Sequence, residues 1–159
     1  MSRYGFNPGS TLAMFTAASR RTASLAAINT TIAPASSAWT YVMWIYIRSR
    51  GNVISFSSTL NALLAGLVAI TCPCAVVEPW AACVIGVIAA FVYGYSAQLL
   101  LKLEIDDPLE ASPIHGFTGI WGLIAGGLFA SDKLSGEHCL RLFRISLPFI
   151  LWLPIIICG

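Results

Sequence analysis

Asp, Glu, Lys and Arg are absent from residues 22–47, 51–77, 79–101, 111–131 and 145–159 of this 159-residue chain. Uncharged intervals of that length restrict the fold sharply. A helix needs about 20 apolar residues to cross about 30 Å of hydrocarbon at 1.5 Å per residue. The first four intervals hold 26, 27, 23 and 21 residues, and the fifth holds 15. The fifth reaches only about 22 Å, so it reads as a truncated span or one extended upstream by snorkelling Arg141 and Arg144. Residues 4–19 are also uncharged, but Gly5, Pro8 and Gly9 make them the end of a helix whose start is missing. The expected fold is all-α: a polytopic membrane bundle of about five transmembrane helices plus an N-terminal partial helix.

Composition narrows the functional classes. Hydrophobic residues make up 57% of the chain and charged ones 10%, where an ordinary soluble domain has about 45–50% and about 25%. That excludes disorder, and it leaves too little charge to coat a soluble globule. A net charge of +2 gives no basic face for nucleic acid. The first 20 residues lack a basic segment followed by an apolar core, so no secretory signal is expected. Both ends read as cut, the last inside the apolar run of residues 155–159. Five cysteines, at 72, 74, 83, 139 and 158, show no paired metal-ligand spacing, and Cys72-Pro73-Cys74 is too tight for a zinc clamp. They are expected to be reduced and structural, with no metal and no cofactor. No nucleophile–base pair or carboxylate pair lies within a span, which argues against an enzyme.

Breaks between spans are expected at 48–52, 71–78, 104–113 and 131–141, where Pro, Gly and charge cluster. Arg20 and Arg21 precede the first full span, whose Thr30, Thr31, Ser36 and Ser37 are polar for a lipid-facing helix. Glu78 suits a helix N-terminus by its charge, and Pro79 suits the first turn. With alternating spans, the loops holding Arg48, Arg50 and Lys102 face one side. Those holding Arg20, Arg21, Lys133, Arg141 and Arg144 face the other. Counted alone, these charges make the second side cytoplasmic.

His115 is the most informative residue. At about 100° per residue, it shares an arc of about 60° with Gly119, Gly122 and Gly126. Two readings stand. The glycines let helix backbones touch while His115 bonds across, or the histidine and glycines line a narrow conduit. A neutral imidazole both donates and accepts, which suits relay of a small polar solute or a proton.

Several stretches occur together in one order: Tyr4-Gly-Phe-Asn-Pro-Gly-Ser10, Ala27-Ile-Asn-Thr-Thr31, the run 60–71, Cys74-Ala-Val-Val-Glu-Pro-Trp-Ala-Ala82, and Asp106-Asp-Pro-Leu-Glu-Ala-Ser-Pro-Ile-His-Gly-Phe-Thr-Gly-Ile-Trp-Gly122. In these the sequence resembles the ammonium transporter family, which includes methylammonium permeases and Rhesus proteins. The resemblance is strongest over residues 4–130, and residues 131–159 diverge into a truncated last span. It implies the second half of an eleven-span subunit, usually homotrimeric, embedded in the plasma membrane bilayer and conducting ammonium or ammonia.

Carried across by motif, Phe6 resembles an outer gate aromatic and Ser10 the hydroxyl of the ammonium recruitment site. His115 resembles the second of two pore histidines. Asn61, Thr71, Gly119 and Gly122 fall in pore-side segments. Asp107 and Glu110 resemble a cytoplasmic acidic turn with a structural or regulatory role, an orientation opposite to the charge count. The resemblance also implies that this fragment is inactive alone, since the family's first five spans and first pore histidine have no counterpart here. The alternatives are an ammonium sensor of the same family and a non-functional truncated gene product.

Overall fold

A computed structural model describes residues 2–10, 16–50, 55–131 and 134, with side chains undescribed at 2–4. Five α-helices follow in order: α1 (Ser2–Gly9), α2 (Ala17–Arg48), α3 (Phe56–Thr71), α4 (Pro79–Lys102) and α5 (Thr118–Phe129), with a π-helical turn (Ser112–Phe117) leading into α5. There is no strand among the described residues. The expected fifth span, residues 145–159, and most of the break at 131–141 lie outside the described residues.

Central α2 packs against α1, α3 and α4. Thr16 caps it, accepting from the Ser19 N–H at 3.2 Å while its own N–H donates to Ser19 Oγ at 3.3 Å. Arg20 and Arg21 therefore lie in its first turns, not ahead of it. The polar residues that looked wrong for a lipid-facing helix are largely packing residues. Ser37 donates to the Ala62 carbonyl at 2.7 Å and Ser36 to the Cys83 carbonyl at 3.1 Å. Between those hydroxyls, backbones meet closely. A Cβ on Gly66 would fall 2.8 Å from Pro34 Cα, and one on Gly86 would fall 2.1 Å from the Ala33 oxygen. Small residues let helices approach in this way where apolar burial alone supplies no drive.

The uncharged interval 51–77 does not become a full-length span. Its helix, α3, has 16 residues, about 24 Å, because Cys72-Pro73 halts it. Irregular backbone at membrane depth persists only when its polar groups are satisfied inside the protein, and in residues 72–78 the carbonyls of Pro73, Cys74, Val76, Val77 and Glu78 find protein donors. The Asn29 amide donates to the carbonyls of Cys74 and Val77, both at 2.8 Å. The Ser131 N–H closes on the Val76 carbonyl at 2.9 Å. Among the described helices, Pro79–Lys102 alone is both long and apolar enough to cross a membrane by itself. The 32-residue α2 has the length but carries the buried hydroxyls and amide that the other helices need.

Pro79 opens α4 as expected, but the Glu78 carboxylate makes no cap bond and instead accepts from Trp80 Nε1 at 2.9 Å. Toward the other end of α4, Trp44 packs its ring against Tyr95 and Phe91 at centroid distances of 5.2 and 5.8 Å. Such rings suit the membrane interface.

Candidate functional site

Phe6 and Ser10 are joined by the last turn of α1. The Ser10 hydroxyl donates to the Phe6 carbonyl at 2.6 Å, and the Ser10 N–H donates to the same oxygen at 2.9 Å. Both side chains are exposed at the end of α1. Asn7, on the opposite side of the turn, is buried and donates to Thr30 Oγ1 of α2 at 2.9 Å. That bond fixes α1 against the bundle, and neither partner was assigned a role from sequence.

His115 lies inside the π-helical turn, where the Thr118 N–H donates to the Pro113 carbonyl five residues back. The 100° step that aligned His115 with the glycines therefore holds only from Thr118 onward. The imidazole is exposed and meets no hydrogen-bond partner among the described residues. The glycines divide. Gly122 abuts the α3 backbone, where a Cβ would come 2.5 Å from the Ala69 oxygen. This is the helix-contact reading. Gly119 has only Val68 Cγ1 at 3.9 Å from a Cβ, and Gly126 has Cys72 Sγ at 3.5 Å, so both retain room.

The acidic turn is built in two layers. Asp107 accepts the backbone N–H groups of Ser112 at 2.8 Å and Ala111 at 3.0 Å. These donors, the Ser112 bond foremost, hold its carboxyl below the usual carboxylate range. Glu110 points inward. Its Oε2 accepts from Asn61 of α3 at 2.9 Å and from the Tyr93 hydroxyl of α4. Asn61, taken from sequence as pore-side, is thus a partner of the acidic turn. Tyr93 is fully buried and packs against Tyr41 of α2 at 5.3 Å between ring centroids; sequence reasoning missed it, because one tyrosine in an apolar helix carries no distinguishing signal. Asp106, Asp107 and Glu110 border a cavity of about 230 Å³ between the end of α4 and Pro113. Thr71 donates to the Leu67 carbonyl of its own helix at 2.7 Å. No group of His, Cys, Asp and Glu suited to a metal ion occurs among the described residues.

Residues 3–150 match the model of the Ammonium Transporter Family. The chain belongs to that family. The match runs past Ala130, beyond the stretch whose motifs are legible by eye. Ammonium transporter Amt2 of Archaeoglobus fulgidus is 45% identical over 130 residues, covering 82% of this chain and 26% of the relative. Ammonium transporter 1 member 4 of Arabidopsis thaliana is 40% identical over 144 residues, covering 84% and 28%. Among solved structures, Candida albicans Mep2 superposes with a TM-score of 0.73 at 30% identity, covering 82% of this chain and 28% of that one. A sensor Amt protein gives 0.73 at 31%, covering 91% and 34%. The chain therefore spans about three tenths of the length of the relatives it matches, and members of this family are integral membrane proteins.

Proposed function

We propose that this chain forms part of an ammonium-conducting subunit, taking up ammonium beside Phe6 and Ser10 and passing it along His115. The observation that supports this reading is the Phe6 carbonyl, which holds the Ser10 hydroxyl one helical turn from an exposed aromatic residue. An aromatic face attracts a cation by about 0.5–2 kcal/mol, and a hydroxyl oxygen accepts one of its N–H groups. Deeper passage as ammonium is costly, because an isolated cation in an apolar channel loses its hydration. Neutral ammonia pays far less, so the cation gives its proton to a water molecule or an imidazole before it enters that channel. A neutral imidazole at His115 can accept from or donate to the neutral solute, and with a second histidine can pass the separated proton. Potassium has neither a proton to release nor a directed hydrogen bond to offer.

Conduction requires the remainder of a subunit, and the homotrimer of the family and residence in the plasma membrane belong to this same proposal. The transport reading is preferred to the sensor reading because the curated relatives quoted are named for transport. The test is growth of an ammonium-uptake-deficient host on limiting ammonium. The chain is expressed alone, or together with the N-terminal remainder of the Archaeoglobus transporter. Growth with both parts, lost on Phe6→Ala with Ser10→Ala, is the expected result. No growth with both parts properly inserted counts against the reading, as does equal growth with the chain alone.

A further inference from the structure

Glu110 occupies a backbone conformation that a glutamate rarely adopts, with φ at 53°. This conformation is strained for a side-chain-bearing residue and is held where neighbouring contacts fix it. Two helices do so here. Asn61 of α3 and Tyr93 of α4 donate to the same carboxylate oxygen, pinning the end of the loop against both. The Glu110 carbonyl then accepts from the Ile114 N–H at 3.1 Å, and Ile114 is buried in a cluster with Ala62, Ala65 and the same Tyr93. The next residue is His115, within the wide turn closed by the Thr118 N–H on the Pro113 carbonyl.

From this arrangement we propose that Glu110 is a positioning residue for His115: the Asn61–Glu110–Tyr93 clamp holds the π-helical turn open and so sets the direction of the imidazole. A π turn contains one residue more than the α-helix would place there. When the clamp is released, the turn relaxes toward α geometry. His115 then rotates by about one residue step, about 100°, relative to α5. The clamp needs an acceptor oxygen at this place, since both bonds are donated to one carboxylate oxygen. The proposal rests on the transport reading for its consequence, but its structural core does not.

The test separates the two. Only two histidines occur in the chain, so histidine-labelled protein in phospholipid bilayers gives a His115 signal assignable by its loss in His115→Gln. One resolved His115 signal is expected in the wild type. A shifted or split signal is expected in Glu110→Ala and Glu110→Gly, although glycine removes the backbone strain. Glu110→Gln, which keeps an acceptor oxygen, should restore the wild-type signal. Tyr93→Phe and Asn61→Ala, each removing one donor, should shift it partway, and they keep the test open if Glu110→Ala fails to fold.

In the two-part transporter, Glu110→Ala should lower the maximal uptake rate by at most about tenfold, the cost of losing one hydrogen bond from His115 to the solute. The half-saturating ammonium concentration should stay unchanged, because Phe6 and Ser10 are untouched. An unmoved His115 signal in Glu110→Ala and Glu110→Gly would overturn the proposal. So would Glu110→Gln behaving like Glu110→Ala, which would assign the carboxylate an electrostatic role. If the two-part system fails to transport while the signals behave as expected, the transport reading fails and the positioning role stands.

Discussion

Gly122 of α5 lies against Ala69 of α3 with no space for a side chain, since a Cβ there would sit 2.5 Å from the Ala69 carbonyl oxygen. The obstacle is backbone, which cannot turn aside as a flexible side chain would. Gly122→Ala should push α5 off α3 and destabilise the bundle by about 1–3 kcal/mol, the range for overpacking a close contact. Gly126→Ala, whose new methyl would meet Cys72 Sγ at 3.5 Å, should be close to neutral. Thermal unfolding in detergent compares the two, and equal midpoints would remove the contact argument.

Asn29 is expected to be the costliest single polar deletion in the described bundle. Its side chain is fully buried and is the donor to the carbonyls of both Cys74 and Val77. Asn29→Leu fills similar space but leaves both acceptors without that donor, at about 1–3 kcal/mol for each group. Ser24→Ala, which removes an exposed hydroxyl bonded to its own helix, is the control. The prediction is checked by unfolding and by faster hydrogen exchange at residues 74–78 in the Asn29 variant only.

Asp107 makes the acidic turn pH-dependent with a definite sign. Its folded carboxyl titrates below the usual range because the Ser112 and Ala111 N–H groups favour the ionised form. The stabilisation is fully present above the unfolded value of about 3.9 and is lost as pH falls through the lower folded value. Protection of the Ala111 and Ser112 amides should therefore collapse on acidification below that point. Asp107→Asn should start with weaker protection and show no such step.

Replacing His115 tests the conduit directly. Removing one hydrogen bond to a passing solute costs about 1.4 kcal/mol, or about tenfold in rate. His115→Ala in the two-part transporter should thus lower uptake about tenfold or relax discrimination against potassium, with membrane insertion unchanged. The measurement is labelled methylammonium uptake with and without potassium. Wild-type uptake and unchanged discrimination would show that His115 takes no part in conduction.

Most helix limits were legible from charge and proline. The expected break at 71–78 coincides with the end of α3 at Thr71 and the start of α4 at Pro79, because Cys72-Pro73 cannot continue a helix and Pro79 can begin one. The start of α2 was less legible. Thr16 and Ser19 form a capping box with serine in the place glutamate usually takes, so helix runs through Arg20 and Arg21. Phe6 and Ser10 were named only through the family resemblance, and the turn that joins them is visible only in the structure.

Sequence by itself determined the all-helical class, because long charge-free intervals leave the backbone no solvent and only helical pairing satisfies every N–H and C=O within one segment. It also determined the family, since several motifs keep their order and spacing. Only the tertiary structure decided which polar residues serve packing. Asn29 meets its carbonyls 45 and 48 positions away, and Asn61 meets Glu110 49 positions away, partners that no local pattern can name. It also decided the register of His115. The 100° wheel assumes an α-helix throughout, whereas Ser112–Phe117 is π-helical and packs against α3 and α4, contacts that helical periodicity does not contain.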